Sequence, residues 1–325
     1  MTGLAPTPLA SLAEDPVAAL RLKGRLAVSF LLDFIAIVRG EGHVLDTLLV
    51  SAIIQANIQD LIRRPDLLQA FAQDDELPTD EMRRPVSMNA LASSLQIPFE
   101  TVRRRVTTLV RLGYCQFVEG GVIVPSAVLA QPQYQVDAFH AFERLRAFYY
   151  QLSELGLLRD LPSPAASLPP GVFPVRTVAR LVGSYILRVV EAVGAVEDML
   201  DGLIILAIFR SNVENLALDL PGPGRLVDDA DRTPISVIAL AARLGVPQET
   251  IRRHVRGLLA RGSCVRMRGG LIIPAQALTS TRLRSTLEAN VSNLQRLFTA
   301  LAQIGVLEVW DSIRPPPKAW SDADG

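Results

Sequence analysis

The sequence predicts a mainly α fold built from two tandem modules, each a helix, a turn, a second helix and a two-stranded hairpin. Two apolar helices precede each module, one follows it, and an approximate two-fold axis is expected to relate the halves. Three observations predict this. Residues 85–129 and 234–278 align without a gap and are identical at 20 of 45 positions. Within each block apolar residues recur twice at helical spacing and then give way to two short strand-like runs. A Gly-Gly pair divides those runs in both blocks, at Gly120-Gly121 and at Gly269-Gly270.

Each block opens on a serine, Ser87 or Ser236, whose hydroxyl can accept from a first-turn amide and start a helix. The apolar positions of that helix are Ala90, Leu91 and Leu95, or Ala239, Leu240 and Leu244. It stops at the turn Gln96-Ile97-Pro98, or Gly245-Val246-Pro247, where the proline, having no amide hydrogen, suits the start of another helix. The second helix carries ETVRRRV or ETIRRHV. Its buried side is Val102, Val106 and Leu109, or Ile251, Val255 and Leu258, the i, i+4, i+7 stripe of a half-buried helix. Its other side is polar and basic. Gly113 and Gly262 sit where a helix end wants a left-handed residue. Residues 115–118 and 122–124 then read as two strands joined by the Gly-Gly turn, and Pro125 or Pro274 ends the second. Helix, turn, helix and hairpin is the winged helix-turn-helix order.

The run from the capping serine through ALAxxLxxPxETxRRxV to GG and IxP resembles the winged helix-turn-helix of bacterial transcription regulators, nearest to the GntR-like and MarR-like groups. The resemblance covers the two blocks, under a third of the chain. It implies a second helix that enters the major groove of DNA and a hairpin wing beside it.

Formal net charge is zero, from 33 basic and 33 acidic residues, which at first sight argues against nucleic acid. The distribution argues for it. Residues 83–129 hold six Arg and two Glu, a charge of +4, and residues 232–278 hold eight Arg and one Glu, a charge of +7, so the rest of the chain carries −11. Positive charge gathered on two modules of an otherwise acidic protein is what a DNA binder shows; arginines merely decorating solvated helices would be spread more evenly. With 49% hydrophobic residues and a mean hydropathy of +0.28 the chain must bury bulky helices on each other or on a second copy. The two cysteines, Cys115 and Cys264, occupy matched strand positions and read as small buried residues. With three scattered histidines and no CxxC pair, no zinc site is expected, nor any cofactor.

The repeat extends past the wings. At an offset of 155, Ser29-Phe30, Asp46, Ala52, Asn57 and Leu61 correspond to Ser184-Tyr185, Asp201, Ala207, Asn212 and Leu216. At an offset of 149, Leu145, Leu152 and Gly156 correspond to Leu294, Leu301 and Gly305. The offset changes at the acidic clusters 74–81 and 228–231, read as solvated loops. The expected organisation is an arm at 1–19, a first repeat at 20–160, a linker at 161–174 with five prolines, a second repeat at 175–310 and a tail at 311–325 containing Pro315-Pro316-Pro317. The apolar runs 26–38 and 199–209 are interrupted by Asp33 and Asp201 and are too short to cross a bilayer, so no membrane role is expected.

No phosphate loop, GxSxG elbow or HExxH is present, so an enzyme is not expected. Asp46 with Asn57, repeated as Asp201 with Asn212, is the polar pair of the apolar helices. Eleven residues is about three turns, which puts both on one face, as an effector contact or, on the preferred reading, a buried tie to a neighbour. The candidate DNA contacts are Thr101, Arg103, Arg104, Arg105, Thr108 and Arg111 in the first module, beside Glu100. In the second they are Thr250, Arg252, Arg253, His254 and Arg256, beside Glu249. Arginine forks onto guanine and threonine reaches a base or phosphate, though most such hydrogen bonds go to the backbone. The second wing adds Arg266 and Arg268, where the first offers Gln116 and Glu119, so the second module is expected to bind more strongly. The expected function is a cytoplasmic, nucleoid-associated regulator of transcription. It would bind double-stranded DNA sequence-specifically as a covalent pseudo-dimer on an imperfect inverted repeat. Self-association through the apolar helices is open, with the aromatic stretch Phe139, Phe142, Phe148 and Tyr149 as core or interface. The alternative is a protein-interaction scaffold that uses winged modules as adapters.

Overall fold

Two apolar helices open the chain, α1 (Pro16–Arg39) and α2 (Val44–Asn57). The computed structural model describes residues 16–62, 77–165, 167–169, 173–194, 198–216 and 227–313. Residues 1–15 of the expected arm, 74–76 of the first acidic cluster, 166 and 170–172 of the linker, and the tail from 314, with its three prolines, lie outside these. After α2 come α3 (Met88–Leu95), α4 (Phe99–Arg111), strands β1 (Gln116–Val118) and β2 (Gly121–Ile123), and α5 (Pro132–Glu154). The same order then recurs as α6 (Val175–Gly194), α7 (Met199–Val213), α8 (Val237–Leu244), α9 (Gln248–Ala260), β3 (Val265–Met267), β4 (Gly270–Ile272) and α10 (Thr281–Gln303), with α11 (Val306–Ser312) closing the chain. The protein is mainly helical with two small antiparallel sheets.

Local chemistry accounts for the module boundaries. The Ser87 and Ser236 hydroxyls accept from the Ala90 and Ala239 amides, each at 3.1 Å, and so cap α3 and α8. Both helices end on a left-handed residue, Gln96 with φ 52° and Gly245 with φ 62°. The hairpins pair in the same register, Gln116 with Ile123 and Val265 with Ile272. A third segment bridges each from outside, Val86 to Val122 and Ile235 to Leu271. That third segment explains the second glycine of each pair. A Cβ on Gly121 or Gly270 would lie 2.3 Å from the carbonyl oxygen of Val86 or Ile235, so only glycine lets the bridge form.

The helices outside the modules interleave. α1 packs on α5 of its own half but also on α7 and α10 of the other, while α6 packs on α10 and on α2 and α5. Phe30 of α1 stacks on Phe148 of α5 with centroids 4.4 Å apart, and Tyr185 of α6 donates its hydroxyl to Asn290 of α10 at 3.0 Å. Phe142, Phe148 and Tyr149 belong to this packing, and Trp310 of α11 lies against Phe142 and Tyr149; Phe139 points outward and is 60% exposed. Asp33, the charge that interrupts α1, accepts from Arg144 of α5 at 2.9 Å and from Arg210 of α7 at 2.5 Å, a tie between the halves. Among the described residues no helix is long and apolar enough to cross a membrane.

The Asp/Asn pairs of α2 and α7 resolve in favour of the structural tie. Asn57, fully buried, donates to the carbonyls of Arg84 at 2.8 Å and Val122 at 3.3 Å and accepts from the Val124 amide at 2.9 Å. Asn212, equally buried, donates to Thr233 at 2.9 Å and Leu271 at 3.2 Å and accepts from Ile273 at 2.8 Å. One amide therefore joins each apolar helix to the bridge segment and to the inner strand of its wing. The acidic clusters are a correction: Asp80 and Asp229 are not simply solvated. Each accepts the amide that follows the wing, Ser126 or Ala275, at 2.7 Å, and faces a buried arginine, Arg83 or Arg232.

Asn57→Ala or Asn212→Ala leaves one carbonyl, of Arg84 or Thr233, and one amide, of Val124 or Ile273, buried without partners. Each should cost about 2–4 kcal/mol of stability, read as a fall in the urea midpoint, against less than about 0.5 kcal/mol for an exposed control such as Gln133→Ala.

Candidate nucleic-acid interface

The geometry of α4 and α9 follows from their apolar stripes. Pro98 and Pro247 stand at the N-cap, the stripes predicted from sequence are buried, and the opposite faces are turned to solvent. On α4 Arg103, Arg104, Thr107 and Arg111 are exposed while Thr101 and Thr108 are half-buried. Glu100, Thr101, Arg103, Arg104, Thr107 and Thr108 together line a shallow depression. On α9 Arg252, Arg253 and Arg256 are exposed and Thr250 is half-buried, and Arg266 and Arg268 project from the wing.

Not all of these charges are available. Arg103 is held by Glu100 at 2.9 Å and Arg252 by Glu249 at 3.4 Å, exposed pairs of small worth that a phosphate can replace. The Thr107 and Thr108 hydroxyls donate to the carbonyls of Arg103 and Arg104, at 2.8 and 3.1 Å, and keep only acceptor capacity. Arg104 and Arg253, in equivalent positions, make no hydrogen bond or ion pair within the described residues and stand out from the middle of each face.

Arg105 and His254 are placed differently from the expectation that they face DNA. Arg105 turns inward to α2, donating to Asp46 at 2.9 Å and to Nε2 of His43 at 2.6 Å. His254 turns inward to α7 and lies 2.7 Å from Asp201, whose other oxygen accepts from Arg261 at 2.7 Å. The cause is the helical turn. These residues sit one position before the buried Val106 and Val255, on the edge that faces the apolar helix, where each meets a carboxylate. His43 and Arg261 went unnoticed in the sequence. His43 was legible, since at the 155 offset it corresponds to Asp198, and both precede an apolar helix.

His43 works as a neutral ring. Its Nδ1 faces the Leu45 amide at 3.1 Å and its Nε2 faces Arg105, and a neutral imidazole, with one acceptor nitrogen, serves one of these donors at a time. Burial, then the charge of Arg105, pulls its pKa from 6.5 down to about 4. In the wings, burial pushes the thiols of Cys115 and Cys264 up to about 12 and about 11, consistent with small packed strand residues and not with reactive ones. Asp198, Asp201 and His254 place ligand atoms within 4.8 Å of one another. The Asp198 carboxylate caps α7, and Arg261 and His254 take up Asp201, so the cluster acts as a helix cap and ion pair.

Residues 230–277 match the DeoR-like helix-turn-helix domain family. The matched span runs from the acidic cluster through α8, α9 and both strands of the second wing. This supports assigning the module to the winged helix-turn-helix class of transcription regulators. The match is to the DeoR-like family and not to the GntR-like or MarR-like groups that the motif resembles. No curated protein and no solved structure matches the chain.

Replacing Arg104 with Ala, which removes no internal contact, should change stability by less than about 0.5 kcal/mol. Arg105→Ala should cost about 1–3 kcal/mol, because Asp46 is left half-buried without its partner. A second measurement follows from His43. A histidine neutral in the fold and protonating near 6.5 when unfolded makes the unfolded chain bind more protons between about pH 6.5 and about 4. That contribution is fully present above this window and is lost as pH falls through it. The urea midpoint should drop on acidification across it, and less steeply in His43→Gln.

Proposed function

We propose that the chain is a sequence-specific regulator of transcription whose two halves are copies of one unit and act as a covalent pseudo-dimer on duplex DNA. It is a binding protein of the cytoplasm and nucleoid, with no catalytic step. The observation that carries this reading is the pair of equivalent exposed faces on α4 and α9, each with an unpartnered central arginine, Arg104 or Arg253, on a helix buried by the same stripe. The family match to the second unit supports DNA as the target, and the 20 identities extend that support to the first.

The pseudo-dimer is supported by how contacts recur. α1 on α5 has its counterpart in α6 on α10, α1 on α10 in α6 on α5, and α1 on α7 in α6 on α2. The turn after α3, at Gln96, meets Gly194 at the end of α6, and the turn after α8, at Gly245, meets Gly42 just beyond α1. Each module thus rests on a helix end of the opposite half. Such exchange holds two recognition helices in register, as a dimeric regulator does with two subunits. The half-sites need not be identical: outward positions differ at Thr107 against Arg256, and the wings at Phe117 and Glu119 against Arg266 and Arg268.

The test is fluorescence anisotropy on duplexes from upstream of the protein's own gene. About 6 to 10 phosphates neutralised should weaken binding roughly a thousandfold or more between 50 and 200 mM salt. Arg253→Ala should cost about 1–3 kcal/mol and relax preference at one position, and more than Arg104→Ala does. Arg266→Ala with Arg268→Ala should flatten the salt slope by up to about two units with the preferred sequence kept. Absence of salt-dependent retention on any duplex, with capture of a protein through the same helices, would replace this reading with the adapter.

A further inference from the structure

A cavity of about 240 Å³ lies where α1, α2 and α5 of the first half meet α6 of the second. Most of its wall is apolar, including Phe34, Val50, Ile54, Phe142, Leu145 and Val178. Three arginines also line it, Arg83, Arg176 and Arg180, against one carboxylate in the lining, Asp137. Arg83 has a fully buried side chain; its Nη2 donates to the Pro78 carbonyl at 3.2 Å and its Nε faces Asp80 at 3.3 Å, but its Nη1 has no partner. Its counterpart at the 149 offset, Arg232, likewise leaves Nη1 without a partner, so that feature is common to both halves and Arg83 contributes buried positive charge behind the cavity wall.

Arg180 strengthens the case by comparison. Its counterpart at the 155 offset is Arg25, whose guanidinium donates to the carbonyls of Val213 and Leu216 at 2.6 and 2.5 Å, closing the end of α7. Arg180 faces the corresponding end of α2, yet its guanidinium makes no hydrogen bond within the described residues and its buried Nε has no partner. The space beside it is held open: Gln55 donates to the Arg180 carbonyl at 3.2 Å and accepts from Ser184 at 3.2 Å, occupying the room that a side chain on Gly183 would need. Burial lowers the pKa of Arg180, and that of Arg83 against the opposing pull of Asp80.

The geometry points to a binding site for a small amphipathic carboxylate, its apolar body among the α1, α2 and α5 side chains and its acid group on Arg180, with the charge of Arg83 behind the wall. A cation would meet this positive charge, and a neutral apolar molecule would leave the Arg180 guanidinium unmatched. The site does not depend on the DNA reading, since its test reads ligand binding directly.

Octanoate is the probe, with octanol and octylamine as matched neutral and cationic controls, titrated into the full chain by calorimetry and by thermal melting. Octanoate should raise the melting temperature in a saturable way and bind at least about tenfold more tightly than octanol, with octylamine weakest. Arg180→Gln, a half-buried position outside the DNA faces, should lose about tenfold in octanoate affinity while melting like the parent without ligand. Ala138→Phe, which adds bulk to the lining and keeps every arginine, should abolish binding. No saturable octanoate binding, equal binding of octylamine, or unchanged affinity in Arg180→Gln would overturn the proposal.

Discussion

The structure depends on one buried amide used twice. Each wing is a two-stranded ribbon, too small to be stable alone, and its inner strand presents backbone groups toward the end of an apolar helix whose own last carbonyl, at Asn57 or Asn212, is taken by the amide of Arg84 or Thr233. Asn57 and Asn212 solve this with one side chain that both donates and accepts. A leucine would pack as well but leave two backbone groups unmatched, and an aspartate could accept but not donate. The amide also sets register, since the same nitrogen holds the bridge segment at Arg84 or Thr233 and the strand at Val122 or Leu271.

The second constraint is electrostatic and lies at the other end of the same helix. Asp46 and Asp201 stand one turn inside α2 and α7, where an acid favours the positive helix end, and each draws a basic residue in from the recognition helix. The residues are exchanged between halves. The first pairs a capping histidine and an acid with an arginine, and the second pairs a capping aspartate and an acid with a histidine and Arg261. The residue types change places, but each acid keeps a basic partner from the second helix of its module. Each module is therefore held at both ends of its apolar helix, its second helix by an ion pair near the start and its wing by the amide clasp at the end.

Much of this was legible in the sequence because it is local. Serine caps, left-handed turns, the Gly-Gly hairpins and the buried stripes depend on residues within a few positions of one another, and the repeat shows each pattern twice. The polar spacing of Asp46 and Asn57 could be read as one helix face, but not which neighbour it met. What could not be read required distant packing. Arg105 sits between Arg104 and Val106, and sequence spacing puts it at the edge of the exposed face. Only the position of α2 decides that it turns inward. The acidic clusters misled for the same reason, because Asp80 and Asp229 look solvated until the amides of Ser126 and Ala275 are seen to close on them. The interleaving of α1 and α6 left no trace in spacing at all.

The two halves share a scaffold but differ in where they place unused charge, and that difference bears on how the molecule would work. Beside the second module Arg25, reaching across from α1 of the first half, caps α7, and the wing carries Arg266 and Arg268; the spare cations are on the outside, where phosphates would be. Beside the first module the wing carries Phe117 and Glu119, while Arg180, reaching across from α6 of the second half, faces a cavity. On the proposed readings, one copy leans toward DNA affinity and the other toward a small anion. The cavity wall includes Arg83, next to the residue whose carbonyl Asn57 holds and three before the bridge to the wing. A ligand acid held on Arg180 would therefore lie against the junction between the helical body and the first module, on the proposed reading the weaker DNA binder. That is the economical place for control, since a small change in the orientation of the weaker reader decides whether both modules can engage at once, and simultaneous engagement is what makes a two-module binder tight.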